Sequence, residues 1–236
     1  MNKNHPQRGL EAILDRAPVV PVVVIENLAD AAPLARALVS GGLSAIEVTL
    51  RTKAALEAIR IIASEVEDAV VGAGTVLNPR QLDAACEAGA RFVVSPGATG
   101  ALLDAATQNG APLLPGIANA SEAMTLIARG YRFAKFFPAE PAGGASYLKA
   151  LSSPLPQLRF CPTGGVTLER APAYLALPNV ICVGGSWMLK PEAIARRDWA
   201  AVAAASRLAA QLGKVCGRTS VQAAPVAEAD RRHPAT

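Results

Sequence analysis

The sequence predicts an α/β fold, a single (β/α)8 TIM barrel with parallel strands, and two observations carry that prediction. Short β-branched runs alternate with alanine-rich segments of helical length, the pattern of repeated βα units around a parallel sheet. The helical segments end in glycine just before the next strand, and the unit of helix, glycine, strand and small-residue turn recurs roughly every 20 to 25 residues. A chain of 236 residues, 51% of them hydrophobic, buries a sizeable core. A doubly wound open sheet is the alternative built from the same parts.

In chain order, residues 1–17 are a polar N-terminal segment with a short helix, 18–213 form the barrel, and 214–236 are a polar tail predicted to be disordered. The run PVVPVVVI places the first strand at 19–25, and AIEVTL the second at 45–50, after a helix closed by SGG at 40–42. The third strand, 69–75, runs into GAGTVLNP, where Asn78 caps the following helix and Pro79 takes its first position. Gly89 ends that helix before the fourth strand at 92–95, Gly110 precedes the fifth at 113–117, and Gly130 the sixth at 133–136. Glycine suits these places because it tolerates the left-handed conformation that follows a helix's last turn. The seventh and eighth strands fall at 159–162 and 180–184, and a last helix over 193–213 closes the fold.

Composition removes several function classes. The formal charge of +4 resides at the two ends: Lys3 and Arg8 at one, four cations against two anions in the tail at the other. The body is formally neutral, so no nucleic-acid partner is expected. Both histidines, His5 and His233, also lie in the ends. Their absence from the body argues against Ser-His-Asp and Cys-His catalysis and against a histidine-ligated metal, and neither metal nor cofactor is expected. Cys86, Cys161, Cys182 and Cys216 show no CxxC spacing and read as reduced thiols. No signal core or membrane-length apolar run occurs. A cytoplasmic protein without a membrane partner is the expectation.

Barrel enzymes place their chemistry at the carboxyl ends of the strands. In AIEVTLR, side chains alternate, so Ile46, Val48 and Leu50 face the covering helices while Glu47, Thr49 and Arg51 face the interior. Interior charges are costly unless paired or used, and a structural ion pair between Glu47 and Arg51 would satisfy that demand. In the sixth strand, FAKFF, Lys135 shares a face with Phe133 and Phe137. The other five lysines sit in tails, helices or turns, and only Lys135 interrupts an apolar strand.

An ordinary lysine is neutral in only about 1 part in 2,500 at pH 7, yet only the neutral amine attacks a carbonyl. Holding a lysine neutral costs about 4 to 5 kcal/mol, which a marginally stable fold does not carry without a use. A Schiff base with a keto substrate is the use that matches. Such chemistry needs a shared acid and base, and in a body without histidine Glu47 is the candidate. Thr75, after the third strand, can hydrogen-bond a carboxylate, whereas Pro96 and Gly97 suit a turn. The turns PTGGVT (162–167) and VGGSW (183–187) follow the last two strands, where barrels commonly hold phosphate on exposed backbone N–H groups, with Gly165 and Ser186 foremost. Residues alone leave two other readings: a barrel that binds sugar phosphates without covalent chemistry, and an isomerase.

The stretches EVTLR, VGAGTVLNP, SPG, PLLPGI, AKFFPAE, RFCPTGGV and GGSWM together resemble the bacterial 2-keto-3-deoxy-6-phosphogluconate (KDPG) and 4-hydroxy-2-oxoglutarate aldolases, class I lyases. The resemblance runs from about residue 18 to about residue 199. It implies a trimeric barrel of the Entner-Doudoroff pathway that cleaves the phosphorylated keto acid to pyruvate and glyceraldehyde 3-phosphate. By the same resemblance Lys135 forms the imine and Glu47 relays protons. Arg51 and Thr75 hold the pyruvyl carboxylate, Pro96 and Phe137 line the substrate site, and Thr163 meets the sugar hydroxyls. Gly164, Gly165, Gly184, Gly185 and Ser186 match the phosphate cradle. Side activity on 4-hydroxy-2-oxoglutarate is implied too.

Overall fold

The computed structural model of the chain describes residues 7–215, and within them the βα units close into a ring. In order these are α1 (Leu10–Leu14), β1 (Val19–Val23), a 3-10 turn (Leu28–Asp30), α2 (Ala31–Ser40), β2 (Ala45–Thr49), α3 (Ala55–Glu65), β3 (Val70–Gly74), α4 (Pro79–Glu87), β4 (Val93–Val94) and α5 (Gly100–Asn109). They continue as β5 (Leu113–Leu114), β6 (Gly116–Ile117), α6 (Ala120–Ala128), β7 (Phe133–Phe136), α7 (Gly144–Leu151), β8 (Arg159–Pro162), α8 (Ala171–Leu175), β9 (Val183–Gly185), α9 (Pro191–Ala195) and α10 (Trp199–Val215). All pairings are parallel, in the orders β5-β4-β3-β2-β1-β9 and β6-β7-β8. Bridges Phe160 to Val180 and Thr163 to Gly184 join β8 to the last strand. The result is the expected (β/α)8 barrel.

Two elements differ from expectation, each for a backbone reason. The fifth barrel strand is split into β5 and β6 at Pro115, which has no N–H to give a ladder. The single closing helix over 193–213 is instead α9 and α10. Arg197 between them adopts φ 52°, and Asp198 starts α10 by accepting from the Ala201 amide at 2.9 Å. The helix-ending glycines behave as expected: Gly42, Gly89, Gly110 and Gly130 have φ of 90°, 94°, 71° and 82°. Asn78 caps α4 through the Gln81 amide at 3.0 Å. Among the described residues no helix is long and apolar enough to cross a membrane, and Cys86 and Cys161 are free thiols. Both histidines, Cys216 and the expected disorder over 216–236 lie outside the described residues, while 214–215 continue α10.

Strand alternation sorts the core into two layers. Ile46, Val48, Ala134 and Phe136 pack outward under the helices. Val20, Phe92, Val94, Phe133 and Cys161 fill the barrel interior together with Leu10 and Leu14 of α1. The short helix therefore stoppers the amino-terminal end of the barrel; burying its two leucines contributes about 1.5 to 3 kcal/mol each.

Gln7, 3% exposed, ties that stopper down. Its Nε2 donates to the carbonyls of Leu113 at 3.1 Å and Phe133 at 2.6 Å, and its Oε1 accepts from the amides of Arg132 at 2.7 Å and Phe133 at 3.0 Å. Gln7→Ala leaves these buried groups without a partner and is expected to cost about 2 to 4 kcal/mol in urea unfolding. A loss under about 0.5 kcal/mol would mean that water replaces the amide there.

Candidate active site

At the carboxyl end of the barrel, β2 and β7 turn one charged side chain each inward. Lys135 Nζ lies 3.1 Å from Glu47 Oε1 and 3.4 Å from Oε2, and the side chains are 6% and 4% exposed. Glu47 therefore pairs with Lys135, and the alternative of a structural pair between Glu47 and Arg51 does not form. Strand geometry gives the reason: β2 ends at Thr49, so Arg51 lies in the turn beyond it, whereas Lys135 of β7 faces Glu47 across the interior. Thr49, fully buried, instead donates to the Val23 carbonyl at 3.0 Å.

Room for the carboxylate comes from β3. A Cβ on Gly74 would overlap the Glu47 carboxylate, its Cγ included at 2.6 Å. On the other side the Phe137 ring lies under the Lys135 ammonium, 5.4 Å from nitrogen to ring centre. Lys135 is in register with Gly116 of β6 and Cys161 of β8. A Cβ at Gly116 would strike the Pro96 backbone, which puts Pro96 beside the same spot.

Arg51 is exposed at the mouth, and its Nε donates to Thr75 Oγ1 at 3.4 Å. Thr75 has φ 60°, a conformation a β-branched residue adopts at a cost of about 1 to 3 kcal/mol. Such strain commonly marks a working position. A guanidinium and a hydroxyl side by side above the ion pair suit a carboxylate.

Thr163 directly follows β8, buried, with its Oγ1 donating to the Cys161 carbonyl at 3.3 Å; a Cβ on Gly184 would collide with that hydroxyl. Beyond it Gly164 and Gly165 take φ of 101° and 79°, a turn only glycine makes without strain. Gly185 ends β9 under the Trp187 ring and Ser186 is exposed. Among the described residues the amides of Gly164, Gly165 and Ser186 donate to no protein acceptor. The bridge from Thr163 to Gly184 sets the two glycine turns next to each other, and open amides on adjoining turns suit a phosphate.

A sequence profile described as KDPG and KHG aldolase matches residues 10–205. The chain belongs to that aldolase family. It is 52% identical over 197 residues to a 2-dehydro-3-deoxy-phosphogluconate aldolase of Dickeya dadantii, covering 84% of this chain and 92% of that one. Of solved structures, the Zymomonas mobilis 2-keto-3-deoxy-6-phosphogluconate aldolase with 3-phosphoglycerate aligns with a TM-score of 0.83 at 49% identity, covering 91% of this chain and 99% of that one. The Legionella pneumophila KDPG aldolase, with pyruvate captured as a covalent carbinolamine, also gives 0.83, at 46% identity over 85% of this chain and 97% of that one.

In this aldolase the residues singled out from sequence converge on one mouth, in two groups. Phe137 and Pro96 flank the Lys135–Glu47 ion pair, with Arg51 and Thr75 at the rim; Thr163 leads from there to the glycine turns. Sequence reasoning passed over Gly74 and Gly116, whose lack of a side chain makes the room. Glu140, Arg170 and Tyr174 were passed over too. Their contacts join three separate chain segments, and no spacing signals that.

Proposed function

We propose that the chain is a class I Schiff-base aldolase that cleaves KDPG to pyruvate and glyceraldehyde 3-phosphate, with side activity on 4-hydroxy-2-oxoglutarate. One observation carries this: a lysine and a glutamate, both buried, meet at 3.1 Å at the end of a barrel where substrates bind.

Lys135 first gives its extra proton to Glu47, the acceptor at 3.1 Å; the neutral amine then adds to the C2 ketone, and Glu47 returns the proton to the oxygen of the carbinolamine. Loss of water from the carbinolamine gives the protonated imine, whose C=N accepts electrons far better than the ketone. Glu47 takes the C4 hydroxyl proton as the C3–C4 bond breaks, glyceraldehyde 3-phosphate departs, and the bonding pair becomes the enamine. Protonation of C3 and hydrolysis return pyruvate and the free amine.

Arg51 and Thr75 hold the C1 carboxylate, which orients C2 toward Nζ. Phe137 and Pro96 wall the reacting carbons, and Thr163 meets the hydroxyls of the departing half. The amides of Gly164 and Gly165, the end of β9 at Gly184 and Gly185, and Ser186 take the phosphate. Family resemblance extends the proposal to a homotrimer working in the cytoplasm in the Entner-Doudoroff pathway.

Sodium borohydride added with pyruvate is expected to leave one covalent adduct, located on Lys135 by peptide mass mapping, and KDPG is expected to compete with it. An adduct on another lysine, or protein mass unchanged, would defeat the covalent reading and leave only phosphate binding.

A further inference from the structure

The turn proposed to take the phosphate is gripped from one side. The Thr163 carbonyl accepts from the Ala139 amide at 2.8 Å and the Gly164 carbonyl from the Glu140 amide at 3.0 Å. The Gly165 carbonyl accepts from Arg170 Nη1 at 3.0 Å. These peptides are trans, and in a trans peptide the N–H points opposite to the carbonyl of the same plane. Pinning the three carbonyls therefore aims the amides of Gly164, Gly165 and Val166 away from the 138–140 turn and from Arg170. Among the described residues none of those amides donates to a protein acceptor.

Two of the grips are backbone, and only the third is made by a side chain, which is itself held. Arg170 Nε lies 3.7 Å from Glu140 Oε2, and the Tyr174 hydroxyl donates to Glu140 Oε1. Tyr174 is 1% exposed. Burial, and next the Glu140 carboxylate beside it, push that hydroxyl above its usual range, so it remains a donor at physiological pH. The Glu140 stem also fills the space beside Gly165, its Cγ 2.7 Å from where a Cβ would stand.

We propose that Glu140, Arg170 and Tyr174 are positioning residues that hold the Gly165–Val166 peptide oriented for the substrate phosphate, so that the enzyme favours phosphorylated over unphosphorylated keto acids. None of the three is placed against the reacting carbons; they act through the turn. The proposal rests on the reading that this turn takes a phosphate.

The test separates binding from chemistry. Arg170→Ala is expected to raise KM for KDPG about tenfold with kcat nearly unchanged, and Tyr174→Phe about threefold. The rate of borohydride-trapped pyruvate adduct formation, which needs no phosphate, stays within about twofold of the parent. Arg170→Lys, which keeps the charge and loses the fork, recovers only part of the KM. In thermal melts, the inorganic phosphate concentration that produces a set rise in Tm shifts by the same factors. An unchanged KM for KDPG, or equal losses in KDPG cleavage and adduct formation, would overturn the network. A parent protein that binds phosphate but traps no pyruvate would sink the aldolase reading alone, and the phosphate titration of the variants would still decide the network.

Discussion

Lys135→Ala is expected to lower kcat for KDPG cleavage by a factor on the order of 10⁴ or more and to remove the borohydride-trapped pyruvate adduct altogether. The size follows from the mechanism, since without an amine no imine exists and the electron sink for C3–C4 cleavage is gone. The same change has a second, physical signature. It leaves the Glu47 carboxylate, 4% exposed, without its partner at 3.1 Å. Stranding one member of a buried pair costs about 3 to 5 kcal/mol, whereas replacing both by apolar side chains is often neutral or better. Denaturant unfolding should therefore show Lys135→Ala destabilised and Lys135→Met/Glu47→Leu close to the parent, with both inactive. Substantial cleavage by Lys135→Ala would end the Schiff-base assignment, whatever its stability.

Glu47→Gln separates the proton relay from the nucleophile. Glutamine keeps the shape and an oxygen that accepts from Lys135 but removes the counter-charge of a buried ammonium, so unfolding should show a loss smaller than the roughly 3 to 5 kcal/mol of a stranded partner, because the hydrogen bond survives. What disappears is the group that takes and returns protons at the carbinolamine, at the C4 hydroxyl and at C3. Proton transfer by a positioned side chain contributes about 10² to 10⁴ in rate, and kcat should fall within that range. Exchange of the pyruvate methyl protons with deuterium, followed by NMR, isolates the C3 step. It should slow in parallel, while borohydride with pyruvate still traps an adduct, more slowly. Exchange at the parental rate would assign the C3 proton to some other group.

The direction of each side chain on β2 and β7 was legible because strand alternation is a local property. Once 45–49 and 133–136 are strands, Ile46 and Val48 must oppose Glu47, and Ala134 and Phe136 must oppose Lys135. The positive-φ glycines at 42, 89, 110 and 130 and the Asn78 cap were legible for the same reason. The break between α9 and α10 was not. Alanine-rich sequence on both sides carries the same helical preference, and one left-handed residue with an aspartate cap decides the matter. The split at Pro115 could have been read from the proline's missing N–H.

Sequence by itself determined the barrel, the family and the inward turn of Glu47 and Lys135, because periodicity and residue type are written along the chain; Arg51, expected inside with them, is exposed because β2 ends at Thr49. Only the tertiary structure decided that Glu47 pairs with Lys135 and not with Arg51, that Gly74 makes room for the carboxylate, and that Arg170, held by Glu140 beside Tyr174, grips the Gly164–Gly165 turn. These are contacts between residues far apart in the chain. Which of several permitted partners meet is set by the register of neighbouring strands and the closure of the ring, neither of which any single segment encodes.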